Sequence, residues 1–314
     1  MRKVYGGIDL GGTSIKAGLL SANGERIAFY KIPTGARSGH EEVSENLLET
    51  GRKLIEAAKK KGARLHGIGI GSPGTIRYPE GIVTDSSPNI PGWVGVNFTE
   101  MFADLPVDIR ADNDANCMAL GEHKFGAGRG TDSGFYVTIG TGIGGALVFD
   151  KRLWRGASFA AGEFGHTVLK YNGIKCKCGR HGCVEAYTAV PAFLRSARNL
   201  VRNSRRSSLK NKLDNLTPEL VFDAYHRGDA AAAEAISRNA DMLGSAIGSV
   251  VNLLNPDIVV IGGGLAQAGR GYIDLIRNKI LDYAFNSATD KIKIKAALLG
   301  NNAGWIGAAC LHLE

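Results

Sequence analysis

The sequence predicts an α/β protein whose two related halves face each other across a cleft, and three observations predict it. A strand, a Gly/Thr turn and a second strand occur at residues 4–20 (VYGGIDLGGTSIKAGLL) and again at 135–148 (FYVTIGTGIGGALV), so one supersecondary unit is used twice. Strand-like runs alternate with helical periodicity, the pattern of mixed, largely buried sheets covered by helices. The chain has 314 residues, 44% of them hydrophobic, enough for a large core and for two domains.

The elements follow in order. After the first Gly/Thr turn, EEVSENLLETGRKLIEAAKKKG (41–62) sets Val43, Leu47, Leu48, Leu54 and Ile55 near one helical face and ends in lysines that complement a helix C-terminus. VDIRADNDANCMALGEHKFG (107–126) reads as a strand running into Asp112–Asn116 and then an Ala/Leu/Glu-rich helix. The polar, basic segment 204–215 is the best candidate for a flexible loop, and residues 228–256 read as two helical stretches. DIVVIGGGLAQAG (257–269) is a continuous apolar strand of the buried parallel kind, ending in three glycines.

Net charge is +8, but seven of the cations lie between Arg195 and Lys212. A solvated basic segment without interleaved aromatic residues does not make a nucleic-acid surface, although it can steer an anionic substrate. No apolar run is long enough for a signal peptide or a membrane span, so a reducing cytoplasm is the expected location.

The glycine turns carry chemistry through their backbone. Without Cβ atoms, successive N–H groups can converge on an anion, and threonine hydroxyls add donors. Asp9, at the end of the first strand beside Gly11, Gly12 and Thr13, is placed to orient the hydrated Mg²⁺ of a nucleotide, and Lys16 can neutralise the same region. Neither turn has P-loop spacing, and tight glycine hairpins are common, but two matching turns with an acidic residue favour phosphate. At 112–116, one polar residue is accounted for by an N-cap. Four polar residues in five positions exceed that need, which makes Asp114 a candidate general base with Asn113 hydrogen-bonding beside it.

In GEFGHTVLKYNGIKCKCGRHGCVE (162–185), one histidine and three cysteines stand at metal-ligand spacing between two carboxylates. His166, Cys176, Cys178 and Cys183 can supply four ligands to a tetrahedral, structural Zn²⁺. A disulfide is the alternative; Cys176 and Cys178 are too close in sequence to pair well, and three clustered cysteines leave one over. Cys117 and Cys310 stand in Ala- and Leu-rich surroundings and are assigned no role.

DLGGTSIK, GSPGTI, SPNIPGW, DNDAN, GTGIGG, GEFGH and CKCGRHGCVE, taken together and in order, resemble the successive motifs of the ROK family (repressors, open reading frames and kinases) across nearly the whole chain. The resemblance implies the actin-like, ribonuclease-H-like ATPase fold: two α/β domains about a hinge, ATP in the cleft, and a C-terminal helix near 304–313 returning to the first domain. Residues 1–115 with 303–314 would form the small domain and 116–302 the large one. It also implies ATP-dependent phosphorylation of a hexose, usually at O6. By motif position, Asp9, Gly11, Gly12 and Thr13 resemble the first phosphate loop, and Thr138, Gly140, Thr141, Gly142 and Gly144 the second. Gly262, Gly263 and Gly264 resemble the segment passing the adenosine. Asp114 resembles the catalytic base, and Asn113, Glu163, His166 and Glu185 the sugar-hydroxyl partners, with Gly74 and Asn89 closing the other side. The zinc ligands resemble His166, Cys176, Cys178 and Cys183, so His166 would serve metal with one ring nitrogen and sugar with the other.

Each of these residues also has a plain structural reading: surface charges for Glu163 and Glu185, a core hydrogen bond for His166, a turn for Asn89 beside Pro88 and Pro91. The motif order favours the functional one. SPNIPGW, NFTE and GEFGH look most like the bacterial glucokinase branch; N-acetylmannosamine and N-acetylglucosamine kinases and fructokinases of the family share most polar contacts. Polyphosphate-dependent members generally lack the cysteine motif, which favours ATP as donor. The family's repressors carry a DNA-binding segment before the first phosphate loop, and here Asp9 comes almost at once; a catalytically silent sugar-binding module is the remaining non-enzyme alternative. The resemblance implies a homodimer or homotetramer.

Overall fold

In the computed structural model, which describes residues 2–36, 39–85, 90–269 and 271–314, two five-stranded sheets follow one plan. The chain begins with β1 (Arg2–Leu10), β2 (Ser14–Ser21), β3 (Arg26–Pro33), α1 (His40–Lys60), β4 (Ala63–Ser72), a small hairpin of β5 (Thr75–Arg77) and β6 (Ile82–Asp85), α2 (Phe98–Met101), β7 (Asp108–Asn113) and α3 (Asp114–Phe125). There follow β8 (Gly134–Ile139), β9 (Ile143–Phe149), β10 (Arg152–Leu153), α4 (Val184–Thr188), α5 (Val190–Asn203), α6 (Pro218–His226) and α7 (Ala230–Leu254). The last elements are β11 (Ile258–Gly262), α8 (Gly264–Ala268), α9 (Tyr272–Tyr283), α10 (Asn286–Thr289), β12 (Lys293–Ala296) and α11 (Ala303–Cys310).

The sheets run β3-β2-β1-β4-β7 and β10-β9-β8-β11-β12. In the first, β2 is antiparallel to β1 and β3, while β4 is parallel to β1 and β7. In the second, β10 is antiparallel to β9, and β11 is parallel to β8 and β12. Position for position the orders correspond, so the duplication visible in the two Gly/Thr turns extends to whole sheets. By contact the chain divides into a unit of 1–132, 146–161 and 301–314 and a unit of 133–145 and 162–300. The domain boundary expected at 115/116 falls inside the first turn of α3, which stays whole in the first unit.

Strand burial follows the pattern of apolar residues. Ile8 and Leu10 of β1, Ile15 and Leu19 of β2, and Ile68 and Ile70 of β4 are at most 1% exposed, and α1 seals this face with Val43, Leu47 and Leu54. All five residues of β11 are buried, as a strand with parallel neighbours on both sides requires.

Two expectations change. Residues 228–256 form one continuous helix, α7, rather than two stretches. Gly244 and Gly248 lie inside it and admit α9: a Cβ on Gly244 would stand 2.2 Å from Lys279 Cβ, and one on Gly248 3.0 Å from Tyr283 Cβ. The basic segment 204–215 is anchored rather than loose. Leu209 is 1% exposed, and Asp229 Oδ2 accepts hydrogen bonds from Ser207 Oγ (2.8 Å), Ser208 N (2.6 Å) and Ser208 Oγ (2.8 Å).

The last helix, α11, belongs to the first unit and lies on its sheet at backbone distance. A Cβ on Gly7 of β1 would stand 1.8 Å from Trp305 O, one on Gly69 of β4 1.8 Å from Ala308 O, and one on Gly307 1.5 Å from Cys117 O in α3. Gly307→Ala should therefore force α11 off α3. The expected result is a stability loss of about 2–3 kcal/mol in urea unfolding; an unchanged midpoint would contradict this packing.

Candidate active-site residues

In the first unit the candidate residues gather where three parallel strands end, a common place for ligands in α/β sheets. Asp9 of β1 pairs in register with Gly71 of β4, and Gly71 with Asp112 of β7. Asp9 also pairs across the hairpin with Lys16, whose Nζ lies 3.8 Å from its Oδ2. Gly304, in the first turn of α11, packs against the Asp9 carboxylate, where a Cβ would stand 2.5 Å from Asp9 Cγ. Burial pushes the Asp9 carboxyl above its usual pKa while Lys16 pulls it back, the setting in which a nearby hydrated cation would be welcome.

The Gly11–Thr13 turn is braced from behind. Buried Thr34 donates its hydroxyl to Gly11 O (2.6 Å) and its N–H to Thr13 O (3.2 Å), while Gly12 and Thr13 remain exposed. A Cβ at Gly12 would meet nothing within 4 Å, so the turn presents backbone to open space.

At the β7–α3 junction, sequence reasoning left open which polar residue caps the helix. It is Asn113: its Oδ1 accepts from Ala115 N (2.8 Å) and Asn116 N (3.3 Å), and its Nδ2 donates to Gly74 O (3.0 Å). Asp112 is buried, and its Oδ1 accepts from Asn113 N (2.7 Å) and Asn116 Nδ2 (2.8 Å). Asp114 is the exposed residue of the three and occupies the first helical position, where the helix dipole favours a carboxylate. The Cys117 thiol beneath is held well above its usual pKa by burial and by Asp112, Asp9 and Asp114, so this cysteine is inert. Asn89, expected to close the sugar side, lies outside the described residues.

The second unit carries the remaining residues. Gly262 at the end of β11 pairs with Thr138 of β8, which sets the Gly262–Gly264 segment beside the second Gly/Thr turn. Gly263, with φ 94°, lies on the backbone of Ile139, where a Cβ would come within 2.4 Å. The turn closes through Gly140 N–H to Gly142 O (2.9 Å), leaving Thr141 exposed and Gly144 half-buried just beyond it.

The GEFGH segment lies across the start of β9. A Cβ on Gly165 would stand 2.2 Å from Ile143 O, and Phe164 packs edge-on against Phe135 at 5.1 Å. Glu185, in the first turn of α4, accepts a hydrogen bond at Oε2 from Ile143 N (3.0 Å). One carboxylate thus touches the second Gly/Thr turn only two residues after Cys183, a link that sequence reasoning missed because its donor is a backbone N–H.

His166, Cys176, Cys178 and Cys183 converge, their ligand atoms all within 4.8 Å of one another. The Cys178 and Cys183 sulfurs are 3.7 Å apart, and His166 Nδ1 is 4.0 Å from Cys176 Sγ. A tetrahedral zinc with Zn–S near about 2.3 Å places sulfurs about 3.8 Å apart, so the cluster has the size and donor set for Zn²⁺; the cysteines are free thiols rather than a disulfide. Turns organise the ligands: Cys176 N–H donates to Arg180 O (2.7 Å), Gly179 N–H donates to Cys176 O (3.0 Å), and Tyr187 Oη accepts from Ile174 N (2.8 Å). His166 turns Nδ1 to the thiols and Nε2 toward Glu163, 4.0 Å from its Oε2.

A fold of two matched sheets with glycine turns at the strand ends defines an actin-like ATPase, and the sequence comparisons give the family. The ROK family model matches residues 5–314, and the chain belongs to the ROK family. It is 36% identical over 312 residues to the glucokinase of Thermotoga maritima, covering 98% of this chain and 96% of that one. It is 30% identical to the N-acetyl-D-glucosamine kinase of Yersinia enterocolitica, covering 99% of this chain and 100% of that one. The crystal structure of a ROK family glucokinase from Streptomyces griseus in complex with glucose and AMPPNP superposes with a TM-score of 0.84 at 28% identity, covering 98% of each chain.

Burial pushes the Cys176 and Cys183 thiols up, Cys183 to about 12, so a metal entering this cluster must expel protons. Metal-free protein should bind Zn²⁺ with an apparent affinity that falls as pH drops, about 10-fold per unit for each proton expelled. Chelator competition at pH 6 and pH 8 measures this; equal affinities would exclude thiolate ligation.

Proposed function

We propose that this ATP-dependent hexose kinase transfers the γ-phosphoryl group of ATP to O6 of glucose, with Asp114 as general base. The observation that carries the reading is the division of labour at the β7–α3 junction. Asp112 is buried in a hydrogen-bonded pair and Asn113 caps the helix, while Asp114 stands exposed at the first helical position. An exposed carboxylate on a rigid helix end suits the removal of a hydroxyl proton late in phosphoryl transfer.

Phosphoryl transfer depends on positioning and charge neutralisation more than on covalent help. The backbone N–H groups at Gly11–Thr13 and Gly140–Gly144, with the hydroxyls of Thr13, Thr138 and Thr141, would hold the phosphates. Gly262–Gly264 would pass the adenosine. Asp9 would hold the water shell of Mg²⁺, which when bound offsets charge on the β- and γ-phosphates, and Lys16 adds a fixed cation beside it. Glu163, His166 Nε2, Asn113 and Glu185 would take the sugar hydroxyls, and Gly74 and Asn89 are further candidates for the sugar site. Glu185 meets the phosphate turn through one oxygen, and the sugar contact would use the other. His166, Cys176, Cys178 and Cys183 would hold Zn²⁺ as a structural ion that fixes the imidazole tautomer and the loop carrying Glu163 and Glu185.

Glucose is favoured over an N-acetylhexosamine by the greater likeness to the Thermotoga maritima glucokinase and by the glucose-bound structural relative. An N-acetyl group needs an added cavity near C2. The deciding experiment is ADP release with Mg-ATP against glucose, mannose, fructose, N-acetylglucosamine and N-acetylmannosamine. Glucose should give the highest kcat/KM; an N-acetylhexosamine in first place would overturn the substrate assignment.

Asp114→Asn keeps the size and loses the basicity, and should lower kcat by at least ~10²-fold with little change in sugar affinity. A near-normal kcat would remove Asp114 from the role of base.

A further inference from the structure

Arg155 belongs to none of the motifs, yet its guanidinium meets three parts of the first unit. Its Nε donates to Asp112 Oδ2 (2.6 Å), its Nη2 donates to Glu314 Oε2 (2.6 Å), and its Cζ lies 3.9 Å above the ring centre of Tyr78. The side chains of Arg155 and Asp112 are 14% and 2% exposed, so this pair is shielded from water and salt. Burial pushes the Asp112 carboxyl up, and Arg155 with the hydrogen bonds from Asn116 and Asn113 pulls it back. Burial likewise opposes charge on Arg155, but Asp112 and Glu314 more than offset it and hold its pKa above the ordinary arginine value.

A buried ion pair is a poor device for stability alone, because its desolvation consumes most of the attraction and an apolar pair of equal volume commonly serves as well. Its value here is directional. Asp112 Oδ1 holds the Asn113 N–H and the Asn116 side chain, the residues on either side of Asp114. The other oxygen is tied to Arg155, so the carboxylate cannot rotate without breaking one set of bonds. Arg155 also stacks on Tyr78, in the segment that begins just after Gly74, whose carbonyl receives the Asn113 amide. A single guanidinium therefore braces both partners of the cap that opens α3.

We propose that Arg155 is a positioning residue for the phosphoryl acceptor: acting through Asp112, it sets the direction in which the first turn of α3 presents Asp114 to the sugar hydroxyl. This inference rests on Asp114 being the base. Arg155 touches neither substrate in this scheme, so its loss acts on the chemical step rather than on binding. A misplacement of the base by about 1 Å can cost as much as ~10²-fold in rate.

The experiment compares Arg155→Met, Arg155→Lys, Asp112→Asn/Arg155→Met and Asp114→Asn for kcat, KM for glucose and for ATP, and Tm, with turnover measured well below each Tm. Arg155→Met should lower kcat by ~10- to 100-fold and leave both KM values within about 3-fold. Arg155→Lys, which keeps the charge but not the fork, should recover part of the loss. The double variant removes the unpaired buried charge and should regain Tm while kcat stays low. A folded Arg155→Met enzyme with wild-type kcat, or a double variant that regains kcat along with Tm, would show a purely structural role and overturn the proposal. Should Arg155→Met fail to fold, Arg155→Lys decides: a lower kcat at unchanged KM supports positioning, and wild-type kcat overturns it. Asp114→Asn separates the two readings. Normal turnover in that variant removes the base and the proposal together, whereas an inactive Asp114→Asn beside a fully active Arg155→Met overturns positioning alone.

Discussion

The contact on which the first unit depends is backbone against backbone. α11 lies so close to β1, β4 and α3 that Gly7, Gly69 and Gly307 leave no room for a methyl group. Dispersion and exclusion of water at that distance join the end of the chain to its beginning, and the position of Asp9 follows from it, because Gly304 of the same helix lies against its carboxylate. The β1–β4–β7 register then aligns Asp9, Gly71 and Asp112 at one edge. Movement of α11 would be felt at Asp9 beside the Gly11–Thr13 turn and at α3 alike, although α11 supplies none of the proposed catalytic side chains.

In the second unit the corresponding constraint is local and largely polar. The excursion between Gly162 and Glu185 has little apolar core: Cys176, Cys183 and Phe164 are buried, while Val168, Tyr171 and Ile174 are 65%, 85% and 46% exposed. A segment so poor in buried surface would gain order from ligation, and its four converging donors have the composition and spacing of a Zn²⁺ site. Its two ends both meet β9, Gly165 by close packing and Glu185 by a hydrogen bond to Ile143 N, so order in the excursion becomes order in the Gly140–Gly144 turn. The proposed sugar-binding and phosphate-binding residues of this unit are thus mechanically one structure.

Much of the architecture was legible because its signals are short-range. The two Gly/Thr turns between apolar strands announced the duplicated sheets, the apolar run before Gly262 announced a strand buried on both sides, and the cysteine spacing announced a cluster that closes on itself. Residues 228–256 read as two helical stretches, yet α7 is continuous and carries Gly244 and Gly248 where α9 occupies the space a side chain would take. The basic segment read as a loop because charge and serine carry no record of a distant acceptor; Asp229 tethers it after a further 20 or so residues.

The sequence by itself determined which groups are present and how local geometry disposes them: two Gly/Thr turns, a strand running into an acidic helix start, and a His/Cys₃ cluster. Each follows from backbone sterics and ligand spacing within a few residues. Only the tertiary structure decided how the polar residues at 112–114 divide their tasks. Asp112 became a buried strut because Arg155 and Glu314 arrive from distant parts of the chain, Asn113 became the cap because Gly74 O lies opposite its amide, and Asp114 was left exposed. Burial and partnership are properties of the packed chain, so a run of three polar letters cannot reveal which of them faces water.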